Sequence, residues 1–210
     1  MMKSKSETKP QKKTQKSTKK TESTAKKPGK SAKKAETTPL QAEPKKNEKR
    51  PQGQEKGLYT LEVFLVGGPV TRKFLKKNPI VSRTIQMRGD QTLSELHEAI
   101  FDAFDREDEH MYEFQIGGNG PQDPKAKRYV LPMDMEDDFG GPKPAGDVKK
   151  TTIGSIGLKV DEAFGYWFDF GDDWWHQINV ISIKEEIPKG EYPRVTKRVG
   201  ASPPQYSEED

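Results

Sequence analysis

Residues 166–176 read YWFDFGDDWWH, and this run holds all three tryptophans of the chain, three aspartates and one of its three histidines. Aromatic residues rich in strand propensity flank a glycine set among acids. That pattern predicts two strands joined by a tight turn. Phe164, Tyr166, Phe168 and Phe170 alternate onto one face of the first strand. Beyond the turn, Trp174, His176, Ile178 and Val180 share one face, while Trp175, Gln177, Asn179, Ile181 and Ile183 share the other. Apolar residues on both faces predict an interior strand. Gly171 is the position expected to take a positive φ, with Asp172 or Asp173 bonding the turn backbone.

Upstream of this run, residues 58–66 (LYTLEVFLV) read as a strand closed by Gly67-Gly68-Pro69, and 80–87 as a second strand with Val81, Arg83, Ile85 and Met87 on one face. The basic stretch between them is expected to be a connection. Residues 92–104 predict the main helix. Thr92 and Glu95 have capping-box spacing, and Leu93, Leu96, His97, Ile100, Phe101 and Phe104 form one stripe. A half-buried strand follows at 110–116, then a glycine-rich loop at 117–120 that lacks phosphate-loop spacing. A short strand at 127–131 and one helical turn within 152–158 complete the ordered part. The expected fold class is α+β: a mostly antiparallel, curved sheet with one main amphipathic helix packed on it, preceded by a disordered basic tail.

Composition sets the boundaries. Residues 1–57 contain no Phe, Trp, Tyr, Val or Ile, so they cannot bury enough apolar surface to offset their conformational entropy. They carry 17 Lys and one Arg against 6 Glu, a charge of 18 − 6 = +12; the remainder has 37 − 18 = 19 basic and 33 − 6 = 27 acidic residues, or −8. The net +4 therefore hides two oppositely charged regions. The expected division is a Lys-rich tail at 1–57, a folded domain at 58–187 and an irregular C-terminal extension at 188–210. Such a tail attracts nucleic acid without sequence preference, since it offers phosphate neutralisation and no stacking groups. The alternative is a solubilising extension.

With no cysteine, disulfides, thiolate catalysis and Cys-ligated zinc are excluded. No apolar run reaches the length of a membrane span and no signal-like segment opens the chain, so no membrane association and a soluble, cytoplasmic protein are expected.

Three blocks, TLSELHEAIFDAF, HMYEF and FDFGDDWWH, followed by YPRV and a late Pro-Pro, resemble in order and spacing the plasmid pRiA4b ORF-three-like family, whose members also appear as TnpR-like passengers of insertion elements. The resemblance covers roughly residues 58–205. It implies an α+β domain with a curved, mostly antiparallel sheet, and a setting on plasmids and mobile elements. Its members are called resolvases without carrying serine or tyrosine recombinase signatures. The family's Trp-Arg pair in the first strand connection is Thr71-Arg72 here, so only Arg72 carries over.

His97, His110 and His176 fall one to each block. With Asp169, Asp172 and Asp173 they supply ligand and acid-base types, yet none forms an HxH or HxxxH pair. The structural alternative, favoured here, is that each imidazole fills a semi-polar core position. Trp167, Trp174, Trp175 and Arg72 are candidates for a recognition surface. Asp169-Phe170-Gly171 lacks every accompanying kinase element and is not read as one. The reading inclines to a non-enzymatic binding domain for a protein or peptide partner, with no cofactor, and a basic tail that attracts nucleic acid. A metal-dependent hydrolase or nuclease using the His/Asp group is the second reading, with His97, His110 and His176 as the metal candidates.

Overall fold

The computed structural model describes residues 54–136 and 142–206. The expected disordered tail lies outside the described residues up to position 53; its last part, Gln54–Lys56, is a 3-10 turn. The chain then forms β1 (Leu58–Gly67), α1 (Arg72–Lys77), β2 (Ser82–Arg88), α2 (Leu93–Ala103), β3 (Tyr112–Ile116), β4 (Lys127–Val130), β5 (Gly146–Asp147), α3 (Ile153–Ile156), β6 (Ala163–Phe168), β7 (Trp174–Lys184) and β8 (Arg194–Val199). The strands make one open eight-stranded sheet in the order β5-β4-β3-β6-β7-β1-β2-β8. Every pairing is antiparallel except the short β4–β5 ladder. No helix among the described residues is long and apolar enough to cross a membrane.

Alternation along each strand builds the core on one face. Tyr59, Leu61 and Val63 of β1 meet Ile85 and Met87 of β2, Phe164, Tyr166 and Phe168 of β6, and Trp174, Ile178 and Val180 of β7, all buried. Each large apolar side chain so buried contributes about 1.5–3 kcal/mol. Helix α2 covers this face with Leu93, Leu96, Ile100 and Ala103. Its start is the expected capping box: Thr92 Oγ1 accepts from Glu95 N, and the Glu95 carboxylate accepts from Thr92 N. β7 is the interior strand its two apolar faces predict, lying between β6 and β1.

Four expectations are corrected. Residues 72–77 form a helix rather than a bare connection, because Thr71 caps it by accepting from Phe74 N. Ile183 packs on the core: a register shift between Thr60 and Leu61 in the β1–β7 ladder returns it to the inner face opposite Tyr59. Phe170 leaves the row of Phe164, Tyr166 and Phe168, since β6 ends at Phe168. The C-terminal extension contains a regular element at 194–199. β8 pairs with β2, and the buried Arg83 donates to the carbonyls of Ala103, Val199 and Gly200 and to Ser202 Oγ, tying the end of α2 to the chain's last segment. Gln205, also buried, accepts from Glu107 N and Asp108 N and donates to Asp108 O.

Candidate functional site

The β6–β7 hairpin separates two environments. Its turn is made by aspartates: Asp169 and Asp173 both take φ of 55°, a conformation that Asp tolerates better than most side chains, while Gly171 does not have a positive φ. Asp169 Oδ1 accepts from Gly171 N and Asp172 N at 3.1 and 3.3 Å, an Asx-type bridge. This corrects the expected roles of Gly171 and Asp172. Asp173 turns outward, and its Oδ1 accepts from Trp167 Nε1 at 3.0 Å.

On the outer face, Trp167 and Trp175 stack with centroids 4.6 Å apart at 14°, and Phe170 packs on Trp167 at 4.2 Å. All three are half-buried. Beside them lies a cleft of about 210 Å³ bordered by Trp175, Gly165, Gln115, Gln177, Asn119 and Pro121. Trp174 is not part of this surface. It points inward, fully buried, with the Arg106 guanidinium 3.6 Å from its ring centre. Arg72 stands exposed in the first turn of α1.

The three histidines are set apart. His176 is buried between Phe104 and Tyr166, at centroid distances of 4.9 and 5.2 Å, and among the described residues neither ring nitrogen has a partner of hydrogen-bond geometry. Burial and then Arg106 push its pKa down to about 3, outweighing the nearby backbone of Trp174 and Tyr166. Arg106 was not singled out by the sequence. It is buried, its three nitrogens lack hydrogen-bond partners among the described residues, and burial lowers its pKa to about 10 against the pull of Tyr166, Asp105 and Asp169.

His97 lies on the buried side of α2, stacked flat on Tyr112 at 3.6 Å, with Nδ1 2.7 Å from Tyr166 Oη and Nε2 3.3 Å from Glu109 Oε2. Burial, opposed by Glu98, pushes its pKa down to about 4. His110 is more exposed, with Nε2 3.0 Å from Tyr206 Oη and 3.5 Å from Asp169 Oδ2. His97 and His110 both pack on Phe168, and His97 and His176 both on Tyr166, so aromatic rings stand between the imidazoles. The expected His/Asp group therefore reduces to the His110–Asp169 pair. Among the described residues, the group with metal-ligand spacing is a different one: His97, Glu98 and Glu109, whose ligand atoms all lie within 4.8 Å of one another. The two glutamates adjoin histidines in sequence, as His97-Glu98 and Glu109-His110, and that adjacency was the available signal.

No curated protein matches the chain. Among solved structures, it is similar to the crystal structure of MM3350, a protein of unknown function from Methanosarcina mazei Go1, with 27% identity, a TM-score of 0.54, and coverage of 70% of this chain and 72% of that one. The hairpin, the capped helix and the strand ending at Ile116 all fall within residues 73–208, which match the model for plasmid pRiA4b ORF-3-like proteins, and the chain belongs to that family.

Proposed function

We propose that this is a non-enzymatic binding domain that takes a basic peptide or protein segment on the outer face of the β6–β7 hairpin. The stacked pair of Trp167 and Trp175, half-exposed beside a cleft, is the observation that carries the reading. Rigid aromatic anchors next to a concavity supply contact area at low entropic cost. Asp172 and Asp173 beside them favour a positively charged partner. Lys-rich residues 1–57 would add attraction to nucleic acid by counterion release, and the plasmid or insertion-element setting that the family resemblance implies would provide it.

Titrating the full chain with a synthetic Lys-rich peptide, followed by tryptophan fluorescence and calorimetry, tests the first part. Trp175→Ala should weaken binding about tenfold or more. Absence of binding, or unchanged affinity in the variant, ends this reading. For the N-terminal stretch, DNA binding should fall steeply with salt in the full chain and be lost in a chain starting at Leu58. Equal, negligible binding by both would remove the nucleic-acid part alone.

A further inference from the structure

We propose that His97, Glu98 and Glu109 form a binding site for one divalent transition-metal ion, entered from the hollow beside α2. The site is separate from the tryptophan surface and independent of the binding role given to it. The hollow, about 510 Å³, is bordered by these three residues together with Ser94, Tyr112 and Lys149.

Three observations converge on this. First, the separation of His97 Nε2 and Glu109 Oε2 is 3.3 Å. Two ligands bonded at about 2.1 Å to a tetrahedral zinc ion stand about 3.4 Å apart, so this pair is already at coordination spacing. Glu98 closes the third side. The 4.8 Å limit on the group leaves a small rotamer change to be made, and Glu98 and Glu109 are exposed side chains free to make it.

Second, the imidazole is held as a ligand is held. A metal-bound histidine usually gives its other nitrogen to a fixed partner that sets the tautomer and the ring plane. Here Tyr166 Oη lies 2.7 Å from Nδ1 and the ring lies flat on Tyr112, so Nε2 can face only the carboxylates.

Third, charge and access are suitable. One imidazole and two carboxylates are donor types that a divalent transition-metal ion takes. The nitrogen donor selects zinc, cobalt or nickel over calcium and magnesium, which prefer oxygen alone. Three protein ligands leave coordination positions open toward the hollow, where water or a small anionic ligand would complete the shell.

The test uses the full chain stripped with chelator. Calorimetry with zinc chloride should show one equivalent bound at micromolar affinity or tighter, and cobalt chloride should give a visible d–d band. Glu109→Gln should weaken zinc binding at least tenfold, and Glu98→Gln should weaken it several-fold. Both variants should melt at the wild-type temperature in chelator, because these carboxylates are exposed, and should lose the zinc-induced rise in Tm. His110→Ala should bind zinc as the wild type does. No stoichiometric binding of zinc or cobalt at millimolar metal overturns the proposal. So does binding that survives in both glutamate variants, or that is lost in His110→Ala but kept in Glu109→Gln.

Discussion

Burying the imidazole of His176 and the guanidinium of Arg106 costs free energy that no residue pattern discloses. Both lie against Trp174 or its neighbours, and neither has a hydrogen-bond partner of good geometry among the described residues. For His176 the consequence is acid sensitivity. Its folded pKa, about 3, is below the unfolded value near 6.5, so the unfolded chain binds the extra proton. Stability from this group is complete above about pH 6.5 and declines as pH falls toward 3, by roughly 1 kcal/mol per pH unit. His176→Leu removes the titrating group. Denaturant melts between pH 7.5 and 4.5 should show the wild type losing stability relative to the variant by that slope; parallel curves would show that His176 is not buried as described. Arg106 keeps its charge, since its pKa falls only to about 10, and the Trp174 ring face offsets part of the desolvation. Sequence could place His176 on the inner face of its strand. It could not show that Arg106, set among acidic residues, folds inward over the Trp174 ring.

At the scale of the element, the hairpin and the main helix differ in how far they could be read. The capping box and apolar stripe of α2 rest on contacts three and four residues apart, and both are present. The hairpin strands were equally legible, because alternation needs only neighbouring positions. The turn was not, since glycine is the default for a positive φ and two aspartates took that role instead. Asp169 can do so because its N–H also donates to Met111 O at 2.9 Å and its side chain bridges the turn, contacts that reach beyond the turn itself. Asp169→Ala should therefore cost about 1–3 kcal/mol, having lost the bridge and kept the strained φ. Gly171→Ala should cost less than about 1 kcal/mol, since its backbone is ordinary and the added carbon would meet only Asp169 Oδ1 at 3.4 Å. Thermal unfolding of the two variants decides between the residues; a larger loss in Gly171→Ala would contradict the observed turn.

At the scale of the whole molecule, the sheet is held by a residue that reads in sequence as an anomaly. Arg83 sits among Val81, Ile85 and Met87 on the inner face, fully buried, and satisfies carbonyls at the end of α2, at the end of β8 and just after it. It thereby converts a proline-rich terminus into part of the fold. Arg83→Met would take this donor from the carbonyls of Val199 and Gly200 and leave Ala103 O with Arg198 Nη1 alone, and should cost about 3 kcal/mol or more in chemical denaturation. It should also raise amide exchange at Val199 and in the segment leading to Gln205 before the central strands are affected. Exchange rising uniformly across the sheet would argue against that local role.

The main helix, the central strands and most of their faces were legible in the sequence, as were the division between a basic N-terminal stretch and an acidic remainder and the family resemblance, because alternation, capping and composition act over a few residues; α1, β8 and the inward face of Ile183 were not. Tertiary structure alone decided which of those faces carry chemistry. The strand order sets β3, β6 and β7 side by side, putting Phe168 and Tyr166 between the three histidines. Helix α2 and the segment after it meet above that sheet, bringing Glu109 to His97 and Arg106 to Trp174. Those meetings join positions far apart in the chain or on separate elements, and local periodicity holds no record of them. YWFDFGDDWWH thus divides by pleat: Trp174 and His176 belong to the core, and Trp167 and Trp175 to the surface.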